Sequence, residues 1–310
     1  MIPPAVPSGS HRGPPHATRA LLQLALGAAL ISLSPVLVNV AHVGPTVAGF
    51  YRLLFGGLAL ALIVLVRRGR LWTGRHHLAL AAVAGVLLAA DLAVWHRSIL
   101  LIGPGLATIL GNFQVFFLAA YGVLVLREHP SARLKTAVPL AVLGLFLIFG
   151  LEWSALQWGY RLGLLLGVLT GLFYASYILT LRRAQAAVGA PSAMVTVAAL
   201  CLVGAVVAAG AVVLEGESFR IPDAWTWGVL VAYGLIPQVA GWVLISRALP
   251  RLEMSRTGLV LLLQPALAFV WDLLLFRRPT TTVELLGATL TLCAIYLGAT
   301  GRRPVGATPS

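Results

Sequence analysis

Long apolar runs separated by short polar segments make up most of the chain, and they predict a series of helices. Most runs hold 17 to 25 residues, which suits helices that rise about 1.5 Å per residue through a hydrocarbon core of about 30 Å. The alternation of polar and apolar residues that membrane β-strands need is absent from the sequence. The pattern predicts an all-α membrane protein with ten transmembrane helices, at residues 20–40, 45–66, 77–96, 101–126, 136–151, 161–181, 193–214, 225–246, 257–276 and 282–300.

The segments at both ends of the chain lack this pattern. Residues 1–18 contain five prolines and show no apolar periodicity, so we predict a disordered cytoplasmic tail there. Residues 301–310 predict a second cytoplasmic tail. The first apolar run is longer than the 7–15-residue core of a signal peptide, so we expect it to remain as a helix.

The second half of the chain resembles the first at a shift of 150 residues. Gln264 lies in the middle of an apolar run with Trp271 seven residues later, and Gln114 and Tyr121 stand at the corresponding positions of the first half. Five helices in each unit would reverse the orientation of the second unit in the membrane. The shift therefore predicts two inverted five-helix repeats, at residues 19–151 and 161–300.

Composition and charge support a membrane protein and give its orientation. The chain is 59 % hydrophobic and only 10 % charged, whereas soluble domains average about 25 % charged residues. The net charge of +13 comes from short basic clusters between the runs rather than from a separate basic domain, which favours membrane loops over nucleic-acid binding. With the N-terminus inside, sixteen of the 22 Lys and Arg residues lie on the inner side and five on the outer. This asymmetry predicts an inner-membrane protein with both termini in the cytoplasm.

Two charged residues fall inside predicted helices, where an unpaired charge is costly. Arg52 lies in the second helix and Asp91 near the outer end of the third, so we expect the two side chains to pair. One interpretation is a fixed ion pair that holds the two helices together. The other is a carboxylate that responds to protons or to the solute and would couple transport to protons.

Uncharged polar and aromatic residues give further candidates for a binding site. Gln114 shares a helical face with Tyr121, and Gln264 shares one with Trp271. We expect these faces to line a cavity near the membrane midplane, although the glutamines could instead form interhelical hydrogen bonds worth about 0.6 kcal/mol. Further lining candidates are Tyr174, Trp95 and Trp242.

Two prolines inside the later helices suggest a moving part. Pro237 and Pro265 each free a backbone carbonyl, and the resulting kinks would suit a gate.

No motif for catalysis, phosphate binding or metal binding is present in the sequence. Cys201 and Cys293 each lie within an apolar run, so we expect no disulfide, metal site or cofactor. The loops are too short for an ATPase, so any transport would be driven by a gradient or run downhill. A membrane-embedded enzyme acting on a lipid or amphiphile, and a non-transporting scaffold or sensor, are the alternative functions.

The motifs resemble those of the EamA-like transporters of the drug/metabolite transporter superfamily. The segment VGPTVAGFYRLLFGGLAL places Pro45 and Arg52 as in that family, and RALPRLEMSRTGLVLLLQP resembles its turn between the third and fourth helices of a repeat. Glu128 matches the family's Gly-Glu pair, whereas Val115 and Arg278 depart from the pattern. The resemblance implies ten helices in two repeats and the export or exchange, by alternating access, of a small metabolite such as an amino acid.

Overall fold

A computed structural model describes residues 14–70, 74–102, 104–149, 158–187, 189–276 and 281–300. Over these residues the fold is all-helical, with no β-strand. Most of the two predicted tails, residues 1–13 and 301–310, lies outside the described residues, as does the joint at 150–157 between the predicted repeats.

The helices follow the apolar runs, but several runs are divided. The first five helices are α1 (Pro14–Ile31), α2 (Ser34–Val40), α3 (Pro45–Val66), α4 (Arg75–Ile102) and α5 (Pro104–Gly111). The next five are α6 (Gln114–Leu124), α7 (Ala132–Phe149), α8 (Trp158–Ala186), α9 (Ala193–Leu214) and α10 (Ala224–Tyr233). A π-helix (Gly234–Gly241) leads into α11 (Trp242–Ala248) and a 3-10 turn (Leu249–Arg251), and the chain continues as α12 (Met254–Leu261), α13 (Leu263–Phe276) and α14 (Thr282–Thr300).

Seven helical stretches in the described ranges are long and apolar enough to cross a membrane, which indicates a multi-pass membrane protein. The predicted total of ten spanning helices stays a prediction. The predicted run at 101–126 forms two shorter helices, α5 and α6, separated at Asn112 and Phe113. Its counterpart 150 residues later is divided in the same place, at Leu262 between α12 and α13.

The start of α1 corrects the predicted tail at residues 1–18. The helix begins at Pro14, so the last five residues of that segment are helical. Proline suits this position because its fixed φ fits the first helical turn, where its missing N–H has no partner to lose.

The helices pack in a way that repeats after the 150-residue shift. Two helices lie along their own counterparts: α3 along α9, and α7 along α14. The others exchange partners, since α4 packs along α8 while the π-helix and α11 pack along α1. Likewise α5 and α6 contact α8, and α12 and α13 contact α1. Exchanging the two halves therefore preserves the main helix neighbours.

Glycines allow the central helices to approach closely. A Cβ on Gly85 of α4 would lie 2.3 Å from the Leu200 carbonyl oxygen of α9. A Cβ on Gly56 of α3 would lie 2.7 Å from Gln238 Cγ and 3.2 Å from the Gly234 carbonyl oxygen of the π-helix. Small residues at such contacts let backbones gain van der Waals contact inside a membrane. These contacts bring α3, α4, α9 and the π-helix together around one centre.

The largest hydrophobic core lies between the same central helices and α1, α8 and α11. The outer faces carry exposed leucines and valines, including Leu62, Leu100, Val206 and Leu214. An apolar outside and a partly polar inside are expected where lipid takes the place of water.

Candidate functional site

Arg52 of α3 is a charged residue that is buried among the central helices. Its side chain is 5 % exposed. Its Nε donates to Gln238 Oε1 at 2.6 Å and its Nη1 donates to the Tyr233 hydroxyl at 3.2 Å. The guanidinium also lies over the Tyr233 ring, 5.1 Å from its centroid. The positive charge is thus held by neutral groups.

Gln238 is the residue that orients Arg52. It is fully buried in the π-helix, one position after Pro237, and its Nε2 donates to Cys201 Sγ of α9 at 3.0 Å. With Oε1 on Arg52 and Nε2 on Cys201, the amide links α3, α9 and the π-helix. Single π-turns within helices frequently occur at functional sites, and here one carries the partner of the buried charge.

The expected ion pair between Arg52 and Asp91 does not form. No nitrogen of Arg52 lies within 4.0 Å of an acidic oxygen of any described residue. The reason is helix packing, because α3 packs mainly along α9 rather than α4 and its arginine reaches the π-helix instead. Asp91 is nevertheless buried, and its Oδ1 has no hydrogen-bond partner in the described ranges. The charge of Arg52 still acts on it at longer range.

Three aromatic rings form a group beside these charges. The Tyr177 ring lies 4.7 Å from the Trp242 ring, and Tyr174 lies 6.3 Å from Tyr177 and 6.2 Å from Trp242, centroid to centroid. Tyr177 and Trp242 are buried, and neither the Tyr177 hydroxyl nor Trp242 Nε1 has a hydrogen-bond partner among the described residues. The charges of both Arg52 and Asp91 act on Tyr174 and Tyr177, so both tyrosines lie within range of the two charges.

The two matched glutamines lie in different surroundings. Gln264 is satisfied by Tyr174, with its Nε2 3.0 Å and its Oε1 3.3 Å from the tyrosine hydroxyl. Gln114 is 1 % exposed, and neither its Oε1 nor its Nε2 has a hydrogen-bond partner within the part of the chain that the structure describes. Pro265 follows directly on Gln264, in the first turn of α13 after the break at Leu262.

The two matched aromatics are both tied to neighbouring helices. Arg183 Nη2 of α8 donates to the Tyr121 hydroxyl at 2.8 Å. Trp271 Nε1 donates to Ser32 Oγ, just after α1, also at 2.8 Å. The structure therefore brings Tyr174, Gln264 and Trp242 together but ties Tyr121 and Trp271 to other partners. Trp95 lies beside His96, with ring centroids 5.5 Å apart.

Comparison with known proteins gives the family. A model of the EamA-like transporter family matches residues 18–150 and 161–300. The chain belongs to the EamA-like transporter family. The resemblance seen in the sequence motifs is thereby confirmed, and with its apolar helices this EamA-like protein is a multi-pass membrane transporter.

A solved structure supports the fold of this EamA-like transporter. Its title reads only "Crystal structure of protein", and it superposes with a TM-score of 0.77 at 17 % sequence identity. The superposition covers 92 % of this chain and 98 % of the other. No curated protein sequence matches the chain.

Three residues of the centre of the EamA-like transporter are not among the predicted site residues: Gln238, Tyr233 and Tyr177. A signal existed for the first, because Gln238 and Trp242 are four residues apart and share a helical face. The hydrogen bond from Arg52 to Gln238 joins residues 186 positions apart, and nothing in the local sequence shows that contact.

Polar contacts close both ends of the helix assembly. At one end His42 Nδ1 lies 2.7 Å from Asp223 Oδ2, and Asp223 Oδ1 accepts from the Thr226 backbone N–H at 2.7 Å, capping α10. The hydrogen bond from Thr226, followed by that from His42, lowers the pKa of Asp223 to about 2. At the other end Glu128 accepts from the backbone N–H groups of Met254 and Ser255, at 2.7 and 3.2 Å, at the start of α12.

A pocket of about 390 Å³ adjoins the Glu128 contact and is lined by Leu126, Glu128, Arg182, Pro250, Arg251, Leu252 and Glu253. In the chain as described, no three His, Cys, Asp or Glu residues are grouped so that they could hold a metal ion.

Proposed function

We propose that this EamA-like transporter moves a small organic solute across the inner membrane by alternating access. The observation that carries the proposal is a set of buried polar atoms, on helices of both halves, that have no hydrogen-bond partner among the described residues: Asp91 Oδ1, both amide atoms of Gln114, the Tyr177 hydroxyl and Trp242 Nε1. Buried polar groups inside a membrane are costly unless they are paired, and they mark solute pathways. A solute that enters this centre would supply the missing partners.

The chemistry of the centre fits an organic solute better than a bare ion. Three aromatic rings offer apolar surface, and the neighbouring polar groups include donors and acceptors. Binding sites for small molecules combine mostly apolar walls with a few placed polar groups.

The packing supports two inverted repeats, at residues 19–151 and 161–300, that move against each other. The main helix neighbours are the same when the halves are exchanged, as expected for units related by a two-fold axis. The Arg183–Tyr121 and Ser32–Trp271 contacts are nearly related by the 150-residue shift. We assign them as gates for the two ends of the pathway, one of which opens at a time.

Charge and family support a direction and a driving force for this proposal. The sixteen basic residues assigned to the inner side support cytoplasmic termini, and the resemblance to the family supports export or exchange. Asp91 is the proton site of this proposal, since its carboxylate is buried next to Tyr174, Tyr177 and the charge of Arg52.

The test has two stages. Thermal unfolding of the purified full chain with a library of metabolites identifies solutes that stabilise it, and counterflow in proteoliposomes then measures their transport. We expect at least one stabilising solute to show counterflow that Trp242→Leu abolishes and that Trp158→Leu, at an exposed position, leaves intact. Counterflow at the level of protein-free liposomes for every stabilising solute would contradict the carrier function.

A further inference from the structure

Arg52 is a buried cation without an anionic partner, and we propose that it binds the carboxylate of the transported solute. The inference rests on the proposed carrier function and adds a substrate class, namely an organic monocarboxylate with an apolar or aromatic body. Three features of the centre support it: the charge of Arg52, the orientation of its guanidinium and the groups that surround it.

The charge of Arg52 lacks compensation at close range. Within the described residues its hydrogen-bond partners are the Gln238 amide and the Tyr233 hydroxyl, both neutral, and no carboxylate oxygen lies within 4.0 Å. Taking a guanidinium out of water costs free energy that neutral acceptors repay only in part. A carboxylate arriving with the solute would supply the missing opposite charge.

The guanidinium is also held in a fixed orientation. Gln238 accepts from Nε at 2.6 Å and is itself anchored on Cys201. Among the described residues, Nη1 of the guanidinium donates only to the Tyr233 hydroxyl, at 3.2 Å, and Nη2 makes no hydrogen bond. The Nη1–Nη2 edge presents two parallel N–H groups, which is the arrangement that binds a carboxylate through both oxygens.

The surroundings select the rest of the solute. The charges of Arg52 and Asp91 both act on Tyr174 and Tyr177. Trp242 packs against these two rings, and the three rings offer an apolar surface for the solute body. In its deprotonated form Asp91 would repel a second carboxylate in the same centre. The site therefore favours a monocarboxylate over a dicarboxylate of similar size.

A matched set of small probes tests the chemical class. The probes are 3-phenylpropanoate, its amide, 2-phenylethylamine and phenylsuccinate, and binding is read from the thermal unfolding of the purified full chain. We expect the monocarboxylate to bind at least about tenfold more tightly than the other three, because only it pairs Arg52 without a second negative charge. Equal binding of the amide and the carboxylate would overturn the proposal.

Gln238→Glu tests whether Arg52 binds the solute carboxylate or only stabilises the fold. The substitution keeps the shape of the side chain and gives Arg52 a permanent carboxylate at Nε, so we expect an equally stable or more stable fold and at least about tenfold weaker carboxylate binding. Gln185→Glu, whose side chain bonds Thr196, is the isosteric control and should bind as the native chain does. Arg52→Gln should also lose carboxylate binding. Unchanged carboxylate binding in Gln238→Glu would show that Arg52 serves the fold alone.

The outcomes distinguish this inference from the carrier proposal. Counterflow of uncharged solutes without any binding of carboxylates would overturn the role of Arg52 and leave the carrier standing. Carboxylate binding that depends on Arg52, without counterflow of any solute, would support the receptor and contradict the carrier.

Discussion

Two stretches 150 residues apart occupy matching places in the fold yet are built differently. The first is α4, an unbroken helix from Arg75 to Ile102, and the second is α10 with the π-helix and α11. Each packs along the opposite half, α4 on α8 and α9, and its counterpart on α1 and α3. Their polar residues differ, since Asp91 corresponds to Gly241 and Leu88 corresponds to Gln238. Helix packing is thus repeated, whereas the chemistry of the centre is not.

Packing explains why the polar residues cannot be exchanged between these stretches. A Cβ on Gly241 would lie 2.8 Å from Ile31 Cγ1 and 3.2 Å from the Gly27 carbonyl oxygen, so no side chain fits there. At the matching contact, α8 carries Tyr177 where α1 carries Gly27, and the charge of Asp91 acts on that tyrosine. A nearly symmetric backbone therefore surrounds an asymmetric set of polar groups, as expected for a site that binds an asymmetric solute.

The strongest way to break the shared packing is Gly85→Leu. Its Cβ would lie 2.3 Å from the Leu200 carbonyl oxygen, a backbone atom that cannot move aside. We expect the free energy of unfolding to fall by about 3 kcal/mol, at the upper end of overpacking effects. Denaturant unfolding in detergent measures it, with Gly210→Leu as the control because no atom lies within 4 Å of that Cβ. Equal stability of the two variants would contradict the close contact of α4 with α9.

The chemical difference between the stretches is tested by Asp91→Asn. The amide keeps the shape of the side chain but cannot carry the proton, so we expect initial counterflow rates to fall by about tenfold, equivalent to about 1.4 kcal/mol. The dependence of transport on a proton gradient should disappear. Asp223→Asn, at an exposed carboxylate at one end of the molecule, is the control. Full transport with an unchanged pH response in Asp91→Asn would leave Asp91 with a structural role.

The matched glutamines sharpen the comparison further. Gln264→Leu removes the hydrogen bonds to Tyr174, and we expect it to lower the free energy of unfolding by about 0.6 kcal/mol, the average for such bonds in membranes. Gln114→Leu removes two unpaired polar atoms, so stability should hold or rise while solute binding weakens. Thermal unfolding with and without solute separates the two effects. Equal destabilisation by both variants would mean that Gln114 has a protein partner.

The smallest effect is expected at Asp223. Its pKa is lowered to about 2 in the folded chain, below the value of about 3.9 for a free side chain. The stabilisation is therefore present above about pH 4 and is lost as the pH falls toward 2. Asp223→Asn should reduce the change of the thermal unfolding midpoint between these pH values. The reduction should be small because the pair is exposed. A slope equal to that of the native chain would show that the pair contributes nothing.

The sequence predicts helix positions well where polar residues mark both ends. The runs at 45–66 and 193–214 coincide with α3 and α9, because Gly44-Pro45 and Ser192 mark their starts and Arg67 and Glu215 their ends. The breaks at Asn112 and Leu262 and the π-helix were not predicted. An apolar run shows that a segment prefers lipid. It does not show whether each backbone N–H bonds the carbonyl four or five residues earlier, which is what distinguishes an α-helix from a π-helix.

The partner of Arg52 could not be predicted for a related reason. Pairing Arg52 with Asp91 assumed that consecutive helices pack face to face. The contact between α3 and α9 sends the arginine toward Gln238 instead, and that contact depends on glycines such as Gly57, whose role appears only when the helices are assembled.

The π-helix has a mechanical consequence. Its wide turns are followed by the tight 3-10 turn at Leu249–Arg251, and α12 then begins at Met254, 150 residues after α5 begins at Pro104. The segment therefore combines wider and tighter winding than the unbroken α4 at the matching place. Such a segment can yield by twisting about its own axis without bending. A twist of a fraction of a turn would move Gln238 away from Arg52. The guanidinium would then lose its fixed orientation, and a solute carboxylate bound to it would be released.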